Sequence, residues 1–200
     1  MLRGVTHRLA IAAGLAAMAA CSRAPASSHP VAPPAPGLVV SDNAVGPLTA
    51  ATPGTLQALR AALGASYVVI AKNVDNTLRY DVLRDGEKLL EVKPDDDGAI
   101  DRVRVISRRV AVSTRAWQVG ERFAHPEVLT GCDCDDDVED HAVCFAKGEH
   151  LAVGFAHACR HVGDPSALRA LTGATIDRVV WSAKPWGIVD DADDPPDASP

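Results

Sequence analysis

Leu78–Val92 reads LRYDVLRDGEKLLEV, two runs (Leu78–Arg84 and Lys88–Val92) on either side of Asp85-Gly86. Asp-Gly supplies the backbone freedom that a tight hairpin turn demands, so the stretch predicts two antiparallel strands. Working outward, Tyr67–Val74 is a short β-branched run and Asp97-Gly98 marks the next turn. Ile100–Ile106 and Val110–Ser113 then read as strands, with Val103 and Val105 on one face and Arg102 and Arg104 on the other. Cys144–Ala146 and Leu151–Phe155 enclose Lys147-Gly148-Glu149-His150, a further hairpin, and Ile176–Trp181 is the last strand. The clearest helix is Thr52–Gly64, with Thr52 as N-cap, Pro53 in the first turn and Gly64 as the stop. Leu56, Leu59 and Leu63 share one of its faces, and a helix this short must dock on something apolar to persist. A second short helix is expected at Pro165–Leu171. The fold class that follows is α+β: an antiparallel β-sheet with one or two short helices packed on it, bearing disulfides.

A short echo runs inside the chain. Gly98-Ala99-Ile100-Asp101-Arg102-Val103 resembles Gly173-Ala174-Thr175-Ile176-Asp177-Arg178-Val179. We read the two as similar turn-to-strand entries, with two related halves as the alternative.

The ends of the chain say where it works. Met1–Arg8 carries Arg3 and Arg8 and no acid, and Leu9–Cys21, LAIAAGLAAMAAC, follows as an apolar run closed by small residues. That is the layout of a secretory signal. A cysteine directly after the small residues is the bacterial lipoprotein pattern, so residues 1–20 are read as a lipoprotein signal peptide and Cys21 as the lipidated N-terminus. Several acyl chains would hold the protein on a membrane where one would not. Residues 21–37 form the anchor and a Pro/Ala/Ser-rich tether, residues 38–189 a single α+β domain, and residues 190–200 an acidic tail. Ser22 stands where Asp would signal inner-membrane retention, so the expected residence is the outer membrane, facing the periplasm.

With 47% hydrophobic but only 4% aromatic residues, the core must be built largely from Val, Leu, Ile and Ala. Removing residues 1–20 takes away two arginines and no acid, so the net charge goes from -6 to -8. An acidic chain without a basic stripe argues against nucleic acid as a partner. Cys132, Cys134, Cys144 and Cys159 form an even set in an exported chain and read as two disulfides. A Cys132–Cys134 bridge is sterically awkward. This leaves Cys132–Cys144 with Cys134–Cys159, or Cys132–Cys159 with Cys134–Cys144. The rival reading, a zinc site made from these thiols with His157 or His161, fits no standard spacing.

The acidic run Cys132–His141, CDCDDDVEDH, carries the remaining candidate chemistry. Asp133, Asp135, Asp136, Asp137, Glu139 and Asp140 offer oxygen donors to a cation or a docking surface to a basic protein. Asp133, Asp135 and Asp137 alternate like the start of a calcium loop, but Val138 stands where glycine is required and Cys144 where glutamate is. A solvated acidic loop pinned by disulfides is the simplest reading, and the only cofactor in view is weakly bound calcium. No catalytic or metal-ligating residue is assigned. His157 and His161 lack the glutamate of a zinc-protease helix. No nucleophile elbow, Ser-x-x-Lys or phosphate loop occurs. Asp101 and Asp177 beside their arginines read as surface charges. Trp181 is expected in the core, while Trp117 and Trp186 lie in or near loops where an exposed indole serves as an interaction anchor.

The order Val45-Gly46-Pro47-Leu48, Thr52-Pro53 and its helix, Gly98…Ile100…Val103-x-Val105-x-Ser107…Val110, Val119-Gly120 and then paired cysteines resembles the sigma-E-regulated (RpoE-regulated) envelope lipoproteins of Gram-negative bacteria. The resemblance covers roughly residues 37–181. It implies an envelope location and a fold, and no activity, since the domain is one of unknown function. The expectation is a non-enzymatic, lipid-anchored binding or accessory protein of the cell envelope, in concrete form an inhibitor of a basic cell-wall hydrolase. The alternatives are a calcium-dependent envelope hydrolase and an outer-membrane assembly or structural factor.

Overall fold

The computed structural model describes residues 37–135, 140–156, 159 and 167–187. The signal peptide, Cys21, the tether, Asp136, Asp137, Glu139, His157, His161 and the acidic tail lie outside the described residues. The elements in chain order are β1 (Val39–Ser41), β2 (Ala44–Val45), α1 (Leu56–Leu63), β3 (Val68–Val74), β4 (Thr77–Arg84), β5 (Glu87–Pro94), β6 (Ile100–Val105) and β7 (Ala111–Val112). β8 (Gly131–Cys134), β9 (His141–Phe145), β10 (Leu151–Ala156), α2 (Ala167–Ala170) and β11 (Arg178–Ser182) follow. Eight strands form one antiparallel sheet, β3-β4-β5-β6-β11-β10-β9-β8, and three form a small sheet, β2-β1-β7. The helices are eight and four residues long, so the fold is dominated by sheet.

The central hairpin forms as its turn chemistry demands, with Asp85 at φ 54° and Gly86 at φ 79° joining β4 to β5. From there a single apolar row crosses the whole sheet: Val69, Val82, Leu90, Val105, Val179, Val153, Cys144 and Cys132, each directly opposite the next. Because side chains alternate along a strand, the residues beside this row point to the other face. Leu59 and Leu63 of α1 and Val40 and Val45 of the small sheet join the same core. Trp181, 1% exposed, fastens the two sheets: its Nε1–H donates to the Asp42 carbonyl at 3.0 Å.

The two echoed segments are β6 and β11, paired side by side at the centre of the large sheet. Each closes a four-strand meander, β3-β4-β5-β6 and β8-β9-β10-β11, and the meanders meet at their last strands. From Ile100 and Ile176 onward equivalent residues differ by 76 in number (the turn glycines, ahead of the extra Thr175, by 75), and Arg104 pairs with its own equivalent, Val180, as a local two-fold axis between those strands requires. Gly98 and Gly173 both take φ 80°, and the bridges Pro53–Ala99 and Arg122–Thr175 tie each turn to the chain entering its half. The arrangement favours two related halves over the simpler reading of two similar strand entries. α2, inserted between β10 and β11, has no counterpart in the first half.

Several local expectations are corrected. The helix starts at Leu56, capped by Thr55, whose hydroxyl accepts from the Ala58 N–H at 3.3 Å. Thr52 instead accepts from the Thr49 N–H at 3.0 Å, and Pro53 is drawn into its bridge with Ala99. Trp117 is not an exposed anchor: it is 5% exposed and lies against Phe123 with ring centroids 6.5 Å apart. Trp186 is half-buried, stacked on Phe145 at 5.4 Å. Cys132-Asp133-Cys134 is part of β8 rather than of a loop, held in register by β9 despite two residues that strands disfavour.

Candidate functional site

The face of the large sheet turned away from the apolar row carries a continuous chain of charges. It begins with two like charges directly opposite each other, Asp81 on β4 and Glu91 on β5, an arrangement that is destabilising unless cations intervene. Two do. Lys72 Nζ reaches Asp81 at 3.0 Å and Glu91 at 2.6 Å, and Lys88 Nζ reaches the same carboxylates at 2.6 Å and 3.0 Å. Lys88 can face this way because Val82 pairs with Leu90 while Leu83 pairs with Lys88, which leaves Leu89 as an extra residue on β5. Such a bulge flips the facing of what precedes it.

Glu91 also takes the buried guanidiniums of Arg79 at 3.1 Å and Arg104 at 2.9 Å through its Oε1. From Arg104 the chain continues through Nη2 to Asp135 Oδ1 at 2.7 Å, and Asp135 Oδ2 lies 3.4 Å from Arg178. Arg178 in turn grips Asp177 at 2.6 Å, which lies 3.4 Å from His141. Arg79, Arg104, Arg178, Asp135 and Glu91 are each no more than 9% exposed. Burial by itself pushes the Glu91 carboxyl up. Hydrogen bonds and charge from Lys72 and Lys88 outweigh it and hold the group well below the usual carboxylate range. For Lys72, burial pulls the ammonium down, and the bonds to Glu91 and Asp81 outweigh that and raise it. Neither group changes charge near neutral pH. A general acid or base needs the opposite poise.

The acidic run is therefore divided. Asp135 turns inward and is taken up by two arginines, held there by its N–H bond to the His141 carbonyl at 2.7 Å and by the neighbouring bridge from Cys134 to Cys159. Asp133 and Asp140 are exposed. The cysteines pair as Cys132–Cys144, with Cα atoms 4.0 Å apart across β8 and β9, and Cys134–Cys159, 5.0 Å apart. This selects one of the two arrangements left open by the sequence. Asp101 is the extra residue of a second bulge, opposite neither Lys93 nor Pro94, and its carboxylate lies 3.9 Å from the guanidinium of its neighbour Arg102. Among the described residues no cluster of three His, Cys, Asp or Glu is arranged to hold a metal, and no helix is long and apolar enough to cross a membrane. An open depression of about 470 Å³ lies elsewhere, beside the start of α1, lined by Thr55, Asn76, Tyr80, Asp95 and Asp96 among others. Asp95 is already engaged there by the Ala99 N–H at 2.8 Å.

Gly154 makes room for this network. It pairs with Arg178, and a Cβ at Gly154 would strike the Cγ and Cδ of that arginine. Gly154→Ala is expected to push Arg178 off Asp135 and to cost about 1–3 kcal/mol, as overpacked sites do, read by urea unfolding.

Reading one strand at a time, the sequence did not single out Lys72, Arg79, Lys88, Glu91, Arg104 or Arg178 as a group. The available signal was parity: Arg79, Glu91, Arg104 and Arg178 each stand beside a buried Tyr, Leu or Val on their strands, whereas Lys72 lies between the exposed Ala71 and Asn73 and Lys88 is displaced by the bulge.

Comparison with known proteins agrees with the fold and supplies no activity. The sequence matches no curated protein. In structure the chain is similar to the uncharacterized protein yfeY from Escherichia coli, with 22% identity and a TM-score of 0.52 over 72% of this chain and 98% of that one. A family model described as "Protein of unknown function (DUF1131)" matches residues 24–183, so the chain belongs to the DUF1131 family.

Proposed function

We propose that this is a non-catalytic binding protein of the bacterial envelope, lipid-anchored at Cys21 to the outer membrane and facing the periplasm, in keeping with its likeness to the sigma-E-regulated lipoproteins. Two disulfides in one domain fit an oxidising compartment. The observation that carries the non-catalytic reading is the locked state of Glu91, a buried carboxylate bound by four cations and held ionised. Such a cluster stiffens a sheet and offers no group to a substrate. The surface offered to a partner is the acidic stretch, with Asp133 exposed on β8, Asp140 exposed just before β9, and Asp136, Asp137 and Glu139 between them in sequence. That surface complements a basic protein, and an inhibitor of a basic cell-wall hydrolase is its concrete form. Acidic groups crowded into one stretch of sequence would speed the encounter and make it sensitive to salt.

The test is capture from periplasmic extract, and of purified lysozymes, by the oxidised full-length chain in mild detergent. A variant with Asp133, Asp136, Asp137 and Asp140 changed to Asn, and Asp135 left intact, is expected to release a basic partner that the parent holds. Equal retention would place the interface elsewhere. Loss of an activity on adding chelator would instead support the calcium-dependent hydrolase.

A further inference from the structure

The large sheet ends in β8 on one side and β3 on the other, and the two edges are treated differently. β8 has four residues and exposes Asp133, two features that discourage strand addition. β3 has seven residues, VVIAKNV, and presents Val68 58% exposed and Ile70 49% exposed. The lysine that would guard this edge, Lys72, is drawn across the outer face by Asp81 and Glu91. The Val69 carbonyl points away from β4 and takes a bond from Arg60 Nη2 at 3.0 Å. Backbone groups alternate in direction along an antiparallel strand, so the N–H and C=O of Ala71 and Asn73 point outward as well.

We propose that two copies of this chain join through β3, antiparallel, about a two-fold axis at Ala71, into one continuous sheet. The strand is complementary to itself in that register. Ala71, a small residue, faces the partner's Ala71, and Val69 faces the partner's Asn73. On the outer face Val68 meets the partner's Val74, and Ile70 meets the apolar stem of the partner's Lys72, whose charge is already neutralised by Asp81 and Glu91. On the other face Arg60, which projects from α1 to the edge at Val69, reaches toward the partner's Asp75, whose equivalent here makes no ion pair among the described residues. The Val69 carbonyl has two lone pairs and can accept from Arg60 and from the partner strand together. No like charges face each other in this register, which selects a second copy over an arbitrary extended peptide.

Register makes the proposal testable by cross-linking. In the detergent-solubilised full chain, Ala71→Cys is expected to give a covalent dimer with a short bismaleimide. Ser66→Cys is expected to give none, because its equivalent thiol lies about 33 Å away along the paired strands. The parent chain sets the background, since Cys132, Cys134, Cys144 and Cys159 are held in disulfides. Arg60→Glu, placing two acids together at each end of the junction, is expected to weaken self-association about tenfold at low salt, read by sedimentation. A chain that stays monomeric and does not cross-link at residue 71 overturns the proposal and makes Arg60 a guard on the edge. Equal cross-linking from residues 66 and 71, or capture of an extended peptide by a monomer, overturns it too.

Discussion

Glu91→Gln is expected to lower the free energy of unfolding by about 3–5 kcal/mol at neutral pH, the range for a buried ion pair that loses one partner. The cost comes from what stays behind. Arg79 and Arg104, 4% and 3% exposed, keep their charges while their shared acceptor loses its own. Among the described residues Lys72 and Lys88 keep the Asp81 carboxylate as their remaining counter-charge. The double variant that adds Arg79→Met or Arg104→Met to Glu91→Gln should therefore cost in total less than the two single changes added together, a coupling that chemical denaturation of the four chains of each cycle measures directly. The sign with pH is fixed as well. Glu91 titrates lower in the folded chain than its ordinary value of 4.5, so its contribution is complete above that value and is lost as pH falls through the folded one. The parent should lose this stability on acidification below about pH 4.5, and the variant should lack that part of the slope. Lys72 behaves in the opposite sense: its raised value gives stability that is whole below 10.5 and is lost on the alkaline side.

Trp181→Ala is expected to cost about 3–5 kcal/mol, as emptying a fully buried aromatic site does. Trp181 is 1% exposed, stands directly opposite Val103 and Leu151, and stacks with His150 at 6.4 Å. Trp181→Phe separates the two roles of the side chain. It keeps most of the packing and removes the bond to the Asp42 carbonyl, at a cost of about 1 kcal/mol for the bond. Since Asp42 lies between β1 and β2, hydrogen exchange in Trp181→Phe should rise first in the small sheet, with the β4–β5 hairpin still protected. A uniform rise across both sheets would show that the indole N–H does not fasten the small sheet.

The fold was legible in the sequence where its signals are local. Asp85-Gly86, Lys147-Gly148 and the alternation of Val103 and Val105 with their arginines each specify a turn or a face by their own chemistry, and the strands around them formed within a residue or two of their expected ends, except that β9 starts at His141, three residues before the expected Cys144. β8 was missed because Gly131-Cys132-Asp133-Cys134 has no strand propensity of its own. Its pairing with β9 and a cross-strand disulfide supply what the residues lack. The charge network was illegible for a related reason. Lys72, Glu91, Arg104 and Asp135 are far apart in sequence, and only the strand order and the bulge at Leu89 bring them into line. Asp135 is the sharpest case: among neighbouring acids its identity announces a solvated loop, and the bridge from Cys134 beside it turns it inward.

The most direct test of the functional account is the affinity of the oxidised full-length chain for a lysozyme, measured by calorimetry across a salt series. The account predicts binding at low salt that weakens steadily as salt rises and falls further when Asp133, Asp136, Asp137 and Asp140 are changed to Asn. No binding at low salt, or binding indifferent to both salt and the loop, would contradict it.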